Sequence, residues 1–161
     1  MTTLRWATIS DAAVISAFLG RHIKPVPPSI ADLELFLRAG SNGLLMLKSA
    51  GRIRATLGFT VQGATAYLCH CAVDSPNAAR DATAALPQLE AACRARHAAV
   101  ALLRCERDSA VGQMLLSAGY ALDYEEADVV AARATTMIDL TKIIDQPAAL
   151  SANLSATPFM Q

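Results

Sequence analysis

The sequence predicts an α/β fold in which about four helices pack on a mixed, mostly antiparallel sheet of about seven strands. Three features support this prediction. Residues 43–73 hold three β-rich runs separated by short turns, which is typical of consecutive antiparallel strands. A long helical stretch then leads into an apolar run at residues 98–103, which predicts a buried strand reached by a parallel crossover. Strand and helix patterns also alternate at both ends of the chain.

A strand at residues 4–8 opens the chain, and a helix follows it. Ser10 or Asp11 can cap this helix. The apolar residues behind the cap recur at helical spacing: Val14, Ile15, Phe18 and Leu19. After a proline-containing loop, a second helix is predicted at residues 30–38, because Gly40 stands just beyond its end.

The middle of the chain predicts a meander of three strands, at residues 43–49, 52–62 and 65–73. Each run is rich in β-branched and apolar residues, and the turns between them contain glycine. We therefore expect these strands to be neighbours in the sheet.

The second half continues with an amphipathic helix at residues 78–97, which Pro87 is expected to kink or restart. After the apolar strand, a helix capped by Asp108 and closed by Gly119 is predicted. A final hairpin takes up residues 120–140. The predicted domain thus spans residues 1–142. Residues 143–161 form an extended arm whose apolar side chains are expected to pack on something: Leu150, Leu154, Phe159 and Met160.

Composition narrows the possible partners. The chain is 53% hydrophobic and 17% charged with a net charge of +0, which argues against a disordered protein and against a broad basic surface for DNA or RNA. No nucleic acid is expected. So apolar a chain predicts a well-buried sheet with near-continuous hydrophobic strands, a surface covered by another subunit in a homo-oligomer or a larger complex, or some of both.

The expected location is the cytoplasm. Four cysteines occur without a signal-peptide pattern at the N-terminus, so reduced thiols are predicted. The longest apolar runs are far short of the roughly 20 residues that a membrane helix needs. No membrane association is therefore expected.

The order of elements resembles the GNAT superfamily of acyl-CoA N-acyltransferases over nearly the whole chain. Local phrases strengthen the likeness: LRWATISDAAVISAFL resembles the family's first strand and helix, CAVDSP the end of its fourth strand, and SAGYALDYE its passage into the sixth. The resemblance implies that the fourth and fifth strands splay apart in a V. It also implies acetyl-CoA or another acyl-CoA as co-substrate, with the pantetheine arm bound to the backbone of Cys71 and Val73.

The resemblance further implies a pyrophosphate loop written Q/R-x-x-G-x-G/A after the fourth strand. Aligned without gaps, its three positions are Ala78, Asp81 and Thr83. Shifted by two residues, they are Arg80, Thr83 and Ala85. Both alignments lack the first glycine, whose absence limits backbone approach to a phosphate. Arg80 and Thr83 are the expected contacts to the cofactor's phosphates.

The catalytic side chains that the resemblance implies are replaced here. The glutamate position on the fourth strand holds Tyr67, and the tyrosine position on the fourth helix holds Leu115. His70 has the intrinsic pKa of a general base near the acyl carbon, or else it packs on a sheet face. Cys69 and Cys71 are better explained as small apolar residues than as half of a metal site, so no metal is predicted.

Two charged segments are further candidates. Residues 104–108 follow the apolar strand at the carboxyl edge of the sheet, where open sheets bind ligands, although a charged turn also explains them. Glu125, Glu126 and Asp128 either receive a cationic amine or form an exposed acidic turn.

Two functions follow from these observations. The first is an acyl-CoA-dependent N-acyltransferase that acts on a small amine with a degenerate CoA loop. The second is a catalytically inactive GNAT-fold subunit that serves a structural or regulatory role by binding a partner protein.

Overall fold

A computed structural model describes residues 1–23, 26–130 and 133–145 and confirms the predicted α/β fold. In chain order the elements are β1 (Thr2–Trp6), α1 (Ala12–His22), α2 (Ile30–Arg38), β2 (Asn42–Ser49), β3 (Arg52–Gln62), β4 (Thr65–Val73), α3 (Pro76–Arg94), β5 (Val100–Glu106), α4 (Ala110–Ser117), β6 (Ala121–Val130) and β7 (Arg133–Ile143). A 3-10 turn, Ile9–Asp11, leads into α1.

Three local predictions need correction. Helix α3 begins at Pro76, because Ser75 caps it, and it continues through Pro87 as one helix. Ser109 rather than Asp108 caps α4, since its side chain accepts a hydrogen bond from the Gly112 N–H. A cap needs extended backbone just before the helix, and composition alone does not say which of two adjacent polar residues adopts it.

The seven strands form one sheet in the order β1-β2-β3-β4-β5-β7-β6. Neighbouring strands are antiparallel except β4 and β5, which are parallel. These two pair only at their beginnings, where Thr65–Tyr67 lie opposite Val100–Leu102. Beyond Tyr67 the strands separate and form the predicted V.

A β-bulge in β4 lies at the point of separation. The register between β3 and β4 shifts between Thr56 and Gly58, and His70 has a φ of 51°. The Thr56 hydroxyl donates to the His70 carbonyl at 2.7 Å, and a side chain at position 58 would come within 2.5 Å of the Cys69 carbonyl oxygen. Glycine at position 58 and a buried hydroxyl at position 56 therefore allow the bulge and hold it.

The bulge changes which residues of β4 face α3. Ala66 and Leu68 belong to the core cluster beneath α3, and so do Cys71 and Val73. Strict alternation would put even-numbered and odd-numbered residues on opposite faces. The extra residue thus turns Cys71 and Val73 toward the α3 side of the sheet, while Ala72 faces the second cluster beneath α1 and α2.

A buried polar cluster anchors α3 to the C-terminal hairpin. Glu90 is 5% exposed, accepts a hydrogen bond from the Tyr120 hydroxyl at 3.0 Å and pairs with Lys142 at 3.2 Å. Burial raises the pKa of Tyr120 far above its ordinary range, and the Glu90 carboxylate raises it further. The phenol is therefore a permanent donor, and it fixes the position of α3 along the sheet.

The last described residues belong to the sheet and its core. Strand β7 reaches Ile143, and Ile144 is buried in the core. The rest of the predicted arm, residues 146–161, lies outside the described residues. Within the described part of the chain, no helix has both the length and the apolar character needed to cross a bilayer.

The bulge suggests a stability test. Changing Thr56 to Val keeps the shape of this buried side chain but removes the hydroxyl that donates to the His70 carbonyl. We expect the free energy of unfolding to fall by roughly 1–3 kcal/mol in urea titrations. Thr60→Val, at a partly exposed position of the same strand, is the control. A loss at position 56 no larger than that of the control would contradict this role.

Candidate functional site

The separation of β4 and β5 opens a cleft of about 570 Å³. Its walls are residues 68–73 of β4 and residues 103–105 at the end of β5. Residues 109–111 at the start of α4 close one side, and residues 22–23 at the end of α1 close another. The cleft therefore lies at the carboxyl ends of two parallel strands, a common place for ligands in open sheets.

The β4 wall offers backbone groups to a ligand. Because the pairing with β5 stops at Tyr67, β4 has no partner strand on that side along residues 68–73 within the described part of the chain. Unpaired N–H and C=O groups on a strand edge bind an extended ligand as another strand would. Cys71 and Val73, the predicted contacts to pantetheine, both line this wall.

His70 also lines the cleft. Its ring packs edge-on against Phe36 of α2, with 4.8 Å between the ring centroids. Burial lowers the pKa of His70 below its ordinary value of 6.5, and the Asp32 carboxylate opposes this effect in part. The imidazole is consequently neutral at physiological pH and able to accept a proton.

The thiols in the cleft are protonated. Burial raises the pKa of Cys71 to about 12, and it also raises the pKa values of Cys69 and Cys105 above their ordinary range. A thiol in this state is a poor nucleophile and a poor metal ligand. Among the described residues, no three His, Cys, Asp or Glu side chains come together as a metal site.

Helix α4 brings different groups to the cleft from those that the resemblance implies. Leu115, at the tyrosine position, is 1% exposed and belongs to the core beneath α3. The protic side chains at this end of the cleft are Ser109 and Cys105, and the Ser109 hydroxyl accepts a hydrogen bond from the Gly112 N–H at 3.0 Å. Neither of them was predicted as a proton donor.

No phosphate loop precedes α3. The connection from β4 consists of Asp74 and Ser75, and the helix begins at once with Pro76. All residues assigned to the loop by either alignment lie in the first turns of α3: Ala78, Arg80, Asp81, Thr83 and Ala85. The chain contains no glycine from residue 64 to residue 111. The backbone at this point is therefore a capped helix start.

Arg80 and Thr83 line a separate groove of about 340 Å³ between α3 and α4. Ala110 lines both this groove and the cleft, so the two are neighbours. The Thr83 hydroxyl donates to the Ala79 carbonyl at 2.8 Å. Asp81 points elsewhere, since its carboxylate accepts from Thr2 of β1 at 3.5 Å.

The charged segments that the sequence offered as further candidates lie partly in the cleft and partly on the surface. Arg104 and Cys105 line the cleft as the position of residues 104–108 suggested, and Arg104 pairs with Asp139 at 3.4 Å. Glu125 pairs with Arg107 at 2.6 Å on the surface, and the side chains of Glu126 and Asp128 lie outside the described part of the chain. These three residues belong to β6 and not to an exposed turn as expected, and Glu125 serves in an ion pair.

His22 is a cleft residue that the sequence did not indicate. It ends α1, and its ring lies 4.6 Å from that of Phe18. Its position follows from how α1 crosses the sheet, which local sequence does not encode.

Several solved structures are similar to this fold over most of the chain. An acetyltransferase of the GNAT family from Streptococcus pneumoniae has a TM-score of 0.72 and 15% identity, covering 89% of this chain and 99% of its own. YncA from Salmonella typhimurium, solved with its cofactor acetyl-CoA, has a TM-score of 0.75 and 16% identity over 92% and 97%. The ribosomal-protein-S18-alanine N-acetyltransferase of Escherichia coli has a TM-score of 0.72 and 18% identity over 92% and 97%.

The chain has the GNAT fold. No protein-family model matches its sequence, and no curated protein matches it in sequence either. The cleft at the V is thus a feature of a GNAT fold, and the likeness to these solved structures lies in the fold.

The environment of His70 predicts a pH dependence. The unfolded chain binds a proton at this imidazole more readily than the native protein, so the free energy of unfolding should fall as the pH drops below about 6.5. The fall should end below the native pKa, and His70→Gln should remove this contribution. NMR titration of the imidazole measures the native pKa directly. A His70 pKa at or above 6.5 would contradict the prediction.

Proposed function

We propose that this protein is an acyl-CoA-dependent N-acyltransferase that acts on a small amine. The observation that supports this most is the parting of β4 and β5 after Tyr67, which leaves a backbone edge along a cleft of about 570 Å³. An extended pantetheine arm carries amide groups that match such an edge. The similar Salmonella protein was solved with acetyl-CoA, and the similar Escherichia coli protein is a ribosomal-protein-S18-alanine N-acetyltransferase.

The chemistry joins the amine to the acyl carbon of the thioester. The C–N bond forms, the C–S bond breaks, the amine loses a proton, and the thiol leaving group gains one. His70 is the base that we assign to the amine proton, because it lines the cleft and its lowered pKa keeps it neutral. Ser109 is the hydroxyl at the α4 end of the cleft where the leaving sulfur would be protonated directly or through water.

A second candidate function is that of a catalytically inactive subunit that binds a partner protein or another copy of the chain. One observation favours it. Tyr67 and Ile143 lie in adjacent rows of the β4-β5-β7 part of the sheet and are 40% and 68% exposed. The partly exposed Val100 and Leu102 lie between them. An apolar sheet surface of this kind suits an interface.

Calorimetric titration with acetyl-CoA separates these functions. Binding should occur, and Ala110→Trp should weaken it strongly, because an indole at this exposed position fills the junction of the cleft and the groove. Ala91→Trp, at an exposed position of α3 outside both, is the matched control and should bind as the unaltered protein does. Absence of binding at about 1 mM ligand would reject the transferase. An oligomer in light scattering would then favour the subunit.

Substitution of the proposed base gives a kinetic test. With a reactive amine in hand, His70→Gln should lower kcat by roughly 100- to 10,000-fold and leave the affinity for acetyl-CoA unchanged. The acid limb of the kcat/KM profile should lie below pH 6.5 in the unaltered protein, following the lowered pKa of His70, and should vanish in the variant. An acid limb that persists in His70→Gln would assign the base to another group.

A further inference from the structure

We propose that the acyl donor is recognised through its 4′-phosphopantetheine arm alone, so that the second phosphate and the adenosine of CoA add nothing to binding. A 4′-phosphopantetheine thioester without the nucleotide, free or carried on a protein, would then serve as donor as well as acyl-CoA does. This inference rests on the proposed transferase function.

The backbone at the start of α3 is poorly suited to a pyrophosphate. The first four amides of a helix are its anion-binding groups. Here Pro76 has no N–H, and the Ala78 N–H donates to the Ser75 side chain at 3.1 Å. Two of these four positions are therefore unavailable. Each residue in this stretch also carries a β-carbon, because no glycine lies between residues 64 and 111.

The nearby charges do not replace the missing amides. Asp74 stands one residue before the cap and brings a carboxylate to the same end of α3. The Arg54 guanidinium is bound to that carboxylate at 3.1 Å. Arg80 is exposed and makes no ion pair within the described residues. One unpaired cation suits one phosphate group rather than a pyrophosphate with a further 3′-phosphate.

The groove between α3 and α4 provides the path for the arm. It meets the cleft at Ala110 and is lined on the α3 side by Pro76, Ala79, Arg80 and Thr83, which recur at helical spacing. Arg80 is the one charged side chain among the described residues that line it. The lining thus suits an uncharged arm that ends in a single phosphate beside Arg80.

Three thioesters test the proposal by calorimetry: acetyl-CoA, acetyl-4′-phosphopantetheine and acetyl-pantetheine. The first two should bind equally. The third should bind roughly two- to fivefold more weakly, the effect of one exposed charge pair. Arg80→Ala should remove that difference, whereas Arg52→Ala, at an exposed position on β3, should preserve it.

The outcomes separate this proposal from the proposed function. Acetyl-CoA binding at least about tenfold tighter than acetyl-4′-phosphopantetheine would overturn the inference and leave the transferase intact, because a tenfold gain requires contacts to the nucleotide. Failure of all three thioesters to bind would reject the transferase itself. Equal binding of the first two would support the inference.

A fourth ligand identifies the source of the arm. Acetylated holo acyl carrier protein carries the same phosphopantetheine thioester on a protein. Tighter binding than acetyl-4′-phosphopantetheine supports a carrier-borne donor, and equal or weaker binding supports a free thioester. Either result agrees with recognition of the arm, provided that the nucleotide adds no affinity in the first comparison.

Discussion

The β-bulge at His70 is the constraint on which the site depends. It needs a left-handed backbone at a histidine, a hydroxyl on Thr56 to hold the displaced carbonyl, and a glycine at position 58 where a side chain would collide with β4. These conditions together turn β4 away from β5 after Tyr67. That change of direction opens the cleft and exposes the backbone edge of β4. It also turns Cys71 and Val73 toward the α3 side of the sheet.

Helix α3 shows how stability and ligand binding compete for the same backbone. Its capped start satisfies amides that would otherwise need a partner. Farther along, Glu90 ties the helix to Tyr120 and Lys142 in a buried cluster. A helix held at both ends makes a firm wall for the groove beside α4, and its start has few amides left to hold a phosphate.

The electrostatic character of the cleft agrees with an uncharged reaction centre. Burial keeps the His70 imidazole neutral and the Cys69, Cys71 and Cys105 thiols protonated. A thioester carbonyl and a neutral amine both tolerate such surroundings. The Arg104 guanidinium in the cleft lining is paired with Asp139, so a multiply charged group would lose its hydration there with little compensation. The charged end of any donor therefore belongs outside the cleft, toward Arg80 and the surface.

The sequence by itself determined the elements and their order. Hydrophobic periodicity placed α2, β3 and β4 at their observed bounds, because these segments carry strong local patterns and clear turns. The family resemblance also pointed from the sequence to His70, Cys71 and Val73, and all three line the cleft. Only the tertiary structure decided that His22 reaches the cleft, that Ser75 makes the loop residues helical, and that a bulge reverses the alternation along β4. These features arise from contacts between residues distant in the chain, such as Thr56 with His70, which local sequence cannot encode.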